Sequence, residues 1–157
     1  MPPDPAPVEH LWFLDTLVRV RVAHAEGADG LSVIENWARF ADSPPLHVHL
    51  SEDELFLIIE GDFRFLTDKQ ERHAGPGDLV LTQKGIPHTY RVESPEGGRW
   101  LVITTSGDFE RFVREVSRPA PAAELPPQSG PPSAEQVQTL GAIAARHRIQ
   151  LVGPPLA

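Results

Sequence analysis

His47-Val-His-Leu-Ser-Glu-Asp-Glu54 is the most informative stretch of this chain. Histidines at i and i+2 of a strand point to one face, with Cα atoms roughly 6.5–7 Å apart. That spacing lets two imidazoles converge on one ion held ~2.0–2.1 Å from each nitrogen. Glu54 stands five residues beyond His49, across the polar turn Ser51-Glu-Asp53. It opens the next strand, so its carboxylate can reach back to the same ion, and Phe56 and Ile58 share its face. A second contribution comes from far along the chain. After the turn Lys84-Gly-Ile-Pro87, a strand runs His88, Tyr90, Val92 along one face. If the sheet curls into a barrel, His88 completes a site of three imidazoles and one carboxylate.

Each residue alone has a plainer reading. A single strand histidine packs or faces solvent, and Glu54 alone would be a solvated turn charge, as Glu52 and Asp53 are expected to be. Together they resist that reading, because an inward carboxylate is costly to bury unless a cation compensates it. The remaining histidines, His10, His24, His73 and His147, lack ligand-spaced partners and are assigned to surface or packing. Trp12, Trp37, Phe40, Phe63, Phe65 and Trp100 are expected in the core, and Phe56, Ile58, Tyr90 and Val92 are expected to line an apolar substrate pocket.

Around this stretch the pattern is that of a β protein. Alternation over Leu17–Val22 and a returning segment over Leu31–Phe40 flank the turn Gly27–Gly30. Short strands are expected at about 46–50, 54–60, 62–67, 78–82, 87–93 and 99–105, punctuated by Gly and Pro turns. The period then becomes helical through Phe109, Phe112, Val113 and Val116, with Ser106 and Asp108 as candidate caps. Residues 118–133 are a proline-rich linker, and a second helix is expected from about Ser133 to Arg148, with Ser133 and Gln136 at capping-box spacing. The helix bearing Phe109 and Phe112 either caps the barrel mouth or packs outside it.

Composition narrows the function further. The 157 residues carry 22 acidic and 14 basic side chains, a net charge of −8, and no cysteine. Thiolate metal sites, disulfides and cysteine nucleophiles are excluded. The acidic balance, with no basic stripe, argues against nucleic acid as a partner. No apolar run spans a membrane and the N-terminus reads as no signal peptide, so a soluble, cytoplasmic protein is expected.

At these residues the sequence resembles a cupin. In the first cupin motif, G-x5-H-x-H-x(3,4)-E-x6-G, His47, His49, Glu54 and Gly61 fall at the required spacings. In the second, G-x5-P-x-G-x2-H-x3-N, Gly77, Gly85 and His88 match. Ala41, Gln83 and Val92 depart from the pattern, and none stands at a ligand position. The segments Leu11–Val18, Gly107–Val116 and Ile149–Pro155 are similar to single-domain bacterial cupins, many of them quercetin-dioxygenase-like.

The resemblance implies an all-β cupin double-stranded β-helix, or jelly-roll, barrel with a C-terminal helical extension. The expected organisation is a flexible N-terminus over 1–9, the barrel over 10–106, a helix over 107–117, the linker over 118–133, and a helix with tail over 134–157. It implies one divalent transition metal (iron, nickel, copper, manganese, cobalt or zinc) on His47, His49, Glu54 and His88. It also implies a dioxygenase acting on an aromatic or enol small molecule, with Glu54 as the catalytic base. A metal-dependent isomerase or lyase, or a non-catalytic binding cupin, would use the same ligands. A homodimer is expected, with Leu55, Leu57 and Ile59 either forming its interface or covered by the N-terminal strands.

Overall fold

A computed structural model describes Met1 and residues 8–157. The flexible segment expected over 1–9 falls largely outside the described residues. The strands are β1 Leu11–Phe13, β2 Thr16–Val22, β3 Ser32–Ala38, β4 Leu46–His49, β5 Glu54–Glu60, β6 Phe63–Thr67, β7 Gln70–Ala74, β8 Leu79–Thr82, β9 His88–Val92 and β10 Gly98–Thr104. Helix α1 Asp108–Val116 follows, then β11 Arg118–Pro119, α2 Ala134–Arg146 and β12 Ile149–Gly153.

These elements form two sheets, ordered β11-β1-β2-β3-β10-β5-β8 and β12-β4-β9-β6-β7. From β3 to β10 the chain steps between sheets at every connection except the β6–β7 hairpin. That alternation is a jelly-roll path. Of the expected jelly-roll barrel the sheet path is present, and no closure of the two sheets into one barrel is found among the described residues. The chain crosses through connecting segments between strands, and each sheet keeps its own edges among the described residues. At one such connection Gly61 has φ +89°, and a Cβ there would lie 2.5 Å from the Gly97 carbonyl oxygen. Glycine is required by both the conformation and the contact.

Period-two patterning explains the packing. In β5, residues 54, 56 and 58 face inward and their neighbours face outward. In β10, Trp100 and Val102 do the same. Phe56, Phe63, Phe65, Trp100 and Val92 fill the space between the sheets, with Trp100 edge-on to Phe63 at 5.2 Å. Outside, Glu35 on β3 is buried between Arg21 and Arg99, which bond its two oxygens at 2.8 and 2.6 Å. Burial pushes this carboxyl up, but the two guanidinium groups hold it below its ordinary value.

Several elements depart from expectation. Strand β7 was not anticipated, because Gln-Glu-Arg-His-Ala buries only its alanine and shows no apolar alternation. Strand β11 lies inside the supposed linker and pairs Pro119 with Leu11. Strand β12, expected as tail, pairs with β4 and so borders the two histidines. Phe40, Trp12 and Trp37 are not in the core. Phe40 is exposed and the tryptophans half-buried, each with an arginine (Arg91, Arg118 and Arg99) stacked over its ring. A guanidinium can shield an aromatic face at the surface in place of other hydrophobic groups.

Candidate metal centre

The four residues picked out by spacing meet in space. One ligand atom from each of His47, His49, Glu54 and His88 can be chosen so that all lie within 4.8 Å of one another. Strand register brings them there. His47 on β4 stands directly opposite His88 on β9, and His49 shares the inward face two residues on. Glu54 begins β5 in the opposing sheet, on the same inner face as Phe56 and Ile58. Its Oε2 lies 2.8 Å from His88 Nε2 and 3.2 Å from His49 Nε2.

Hydrogen bonding selects which nitrogens face the centre. His47 Nδ1 is 2.7 Å from the Pro45 carbonyl and His88 Nδ1 is 3.2 Å from that of Ile86. Each carbonyl accepts a hydrogen bond from Nδ1, which turns Nε2 toward the centre, where that of His88 meets Glu54 Oε2 at 2.8 Å. Neither nitrogen of His49 has a hydrogen-bond partner, although the side chain is buried. Orphaned buried nitrogens of this kind are rare in native interiors. Three imidazoles grouped beside a buried carboxylate are the donor set of a divalent transition metal, and these residues fit one.

Electrostatics agrees with that reading. Burial and the neighbouring histidines push His47 down to about 3, so its imidazole is neutral and able to ligate. Burial alone would raise Glu54, but His49 and His88 hold it well below the usual carboxylate range. His49 is pushed down by burial, yet Glu54 and Glu52 carry it above its ordinary value. The cluster therefore keeps its carboxylate ionised, and a bound cation would replace the proton that His49 favours beside it.

Beside the cluster lies a cavity with about 70 Å³ of free space. Of the four pocket residues expected, Phe56 and Tyr90 line it, whereas Ile58 and Val92 are buried in the core away from its wall. Trp100 and Val102 complete the inner wall. Their inward parity on β10 is readable from alternation, although the sequence assigns Trp100 only to the core. Phe109 and Phe112 of α1 line the cavity too, which favours the capping role over outer packing. Leu140 of α2 and Ile149 and Leu151 of β12 close it, so the C-terminal segment docks on its own jelly roll. Phe13 and Asn36 also reach it, and no local sequence signal marked them.

Glu52 is the clearest miss. Expected in solvent, it is buried, accepting hydrogen bonds from Ser106 N and Oγ at 3.0 and 2.8 Å and from Phe109 N at 2.7 Å. The other histidines stay outside the site. His24 pairs with the buried Glu110, His147 pairs with Glu115, His10 sits near Trp37, and His73 is exposed.

Known proteins resemble this chain in sequence and fold. The family described as "Cupin domain" matches over residues 38–104, which include all four clustered residues. That match covers somewhat less than half of the chain. Solved structures agree in fold. A predicted oxalate decarboxylase from Thermotoga maritima superposes with a TM-score of 0.55 at 16% identity, over 57% of this chain and 79% of that one. A polyketide cyclase from Streptomyces resistomycificus gives 0.52 at 22%, over 59% and 66%. A cupin-superfamily sugar phosphate isomerase from Silicibacter pomeroyi gives 0.51 at 21%, over 59% and 60%. Among curated proteins, quercetin 2,3-dioxygenase of Bacillus subtilis is 30% identical over 86 residues. That match takes in 55% of this chain but only 25% of the dioxygenase.

Asp42 lies between β3 and β4. Burial and the charge of Asp15 push it up to about 7 from 3.8. The folded state then holds a proton that the unfolded chain releases between about pH 4 and about pH 7, so this group's contribution to stability falls as pH rises through that window. Replacing it, Asp42→Asn, raises the urea midpoint above the window and changes it little below. Equal shifts on both sides would contradict the buried-carboxyl account.

Proposed function

We propose that this cupin is a mononuclear metal oxygenase acting on an uncharged, flat aromatic or enol molecule. The observation that carries this reading is the composition of the cavity wall. Aromatic and aliphatic side chains dominate it, its polar members besides Tyr90 are Thr16, Asn36, His47, His49 and Glu54, and among the described residues it contains no arginine or lysine. Anionic substrates such as phosphates and carboxylates call for cationic partners, and this wall offers none. The similarity to a segment of quercetin 2,3-dioxygenase supports the same class.

A bound metal would supply Lewis acidity and an electron path to O2. The chain's own residues do the rest. Glu54 Oε2, buried and ionised, is placed to take the proton from a substrate hydroxyl, which makes it both ligand and general base. Phe56, Tyr90 and Trp100 bound a slot for a planar ring, and Phe109 and Phe112 exclude water from it. Free space of about 70 Å³ is small beside the ~300–1,000 Å³ of ordinary ligand sites. A multi-ring substrate must therefore displace Leu140 on α2, a helix that buries only Ala144.

The test is oxygen consumption by metal-loaded protein across enols of increasing size, up to flavonols. Oxygen uptake that tracks substrate loss, and is abolished in Glu54→Gln, is the expected result. Turnover that persists under strict anaerobiosis would instead place the chain with the isomerases and lyases. Binding without turnover would leave a sensing or carrier cupin.

The homodimer belongs to the same proposal. Leu55 and Leu57 on β5 stand beside Leu81 and Leu79 on β8, and beside Ile103 and Leu101 on β10. All six point away from the core, and Leu79 and Leu81 are about half exposed. The N-terminal strands lie further along the same sheet and do not cover this face. A flat aliphatic patch of this kind can pair with a second copy across a two-fold axis. Light scattering is expected to give twice the 17.3 kDa chain mass for wild type and a monomer for Leu79→Glu/Leu81→Glu. A monomeric wild type would overturn it.

A further inference from the structure

Between the ligands His49 and Glu54, the turn carries two acids of opposite fate. Asp53 is exposed, whereas the Glu52 side chain is fully buried. We propose that Glu52 is a positioning residue that ties the cavity-wall helix α1 to the metal ligand His49. The inference rests on reading the cluster as a metal centre.

The geometry on the helix side is specific. Helix α1 begins after Gly107 and has no side-chain cap of its own. Glu52, distant in sequence, takes that role by accepting from Ser106 N, Ser106 Oγ and Phe109 N. A carboxylate at a helix N-terminus is favoured both by the unpaired N–H groups and by the helix dipole.

On the ligand side, His49 differs from its two neighbours. His47 and His88 each have a backbone carbonyl beside Nδ1, and His49 has none. The nearest acceptor the structure records for its Nδ1 is Glu52 Oε1, at 3.9 Å. A carboxylate on that side favours a proton on Nδ1, which leaves Nε2 as the donor that faces Glu54 and the centre. The same Glu52 oxygen accepts from Phe109 N, and the Phe109 ring lies 5.5 Å from the His49 ring. One carboxylate thus touches the helix whose phenylalanines wall the cavity and faces the ligand that has no other orienting partner. A ligand that shifts α1 must move Glu52, and with it the orientation of His49.

The experiment is Co(II) titration of wild type, Glu52→Gln and Ser106→Ala, followed by visible absorption, with thermal unfolding of each metal-free protein alongside. Glu52→Gln is expected to weaken Co(II) binding roughly 10- to 100-fold and to shift the visible bands. Ser106→Ala removes one hydrogen bond to the same carboxylate but keeps its charge beside His49. It should lower only the thermal midpoint. If both variants bind Co(II) with wild-type affinity and bands, Glu52 is a helix cap alone and the proposal falls. A wild type that takes up no Co(II) removes the metal centre itself, a distinguishable failure. Should Glu52→Gln not fold, Glu52→Asp, which retracts the charge by one methylene, must show the same band shift and weakening at smaller amplitude, and its absence overturns the proposal.

Discussion

A carboxylate removed from water is stable only where other charges or donors replace the water. Glu54 is buried at the start of β5, on the inward face of a strand otherwise filled with Phe56 and Ile58. Among the described residues no arginine or lysine pairs with it; its neighbours are the imidazoles of His49 and His88. The placement of that one negative charge organises the centre. It holds the histidines close to one another, and its demand for positive charge is what a divalent ion would meet.

The fold serves that constraint by bringing distant segments to one point. The jelly-roll path sends β4 and β9 into one sheet and β5 into the other, so ligands from both sheets converge across the interior. The turn between β4 and β5 then has to sit close to the barrel-like mouth, where Glu52 fixes it to α1. The C-terminal segment closes the same mouth, since β12 pairs Leu151 with His47 and Ile149 with His49. Ligand strand, cavity wall and cap are therefore hydrogen-bonded neighbours, and small shifts in one are felt by the others.

Much of this was legible because the signals were local. His47, His49 and Glu54 declare themselves by two-residue alternation and a short turn, and Phe56 falls inward by the same parity. His88 needed the motif spacing that the resemblance supplied as well as the strand reading. What escaped was set by tertiary context. Glu52 differs from Asp53 only in what lies above it, namely the N-terminus of a helix more than fifty residues away. Ile58 and Val92 have the correct inward parity but sit too deep to meet the cavity. Strand β7 carries almost no apolar signal because it is an edge, and β12 was hidden by its Gly-Pro-Pro ending. Barrel closure was an inference from the family, and the hydrogen bonding between sheets does not carry it.

The central claim is that His47, His49, Glu54 and His88 together hold one metal ion. Its most direct test is plasma mass spectrometry on tag-free protein purified without chelators, beside a His49→Ala variant. Near-equimolar transition metal in the wild type, lost in the variant, is the predicted result. A wild type that carries no metal even after reconstitution, or a variant that keeps a full complement, would contradict the account.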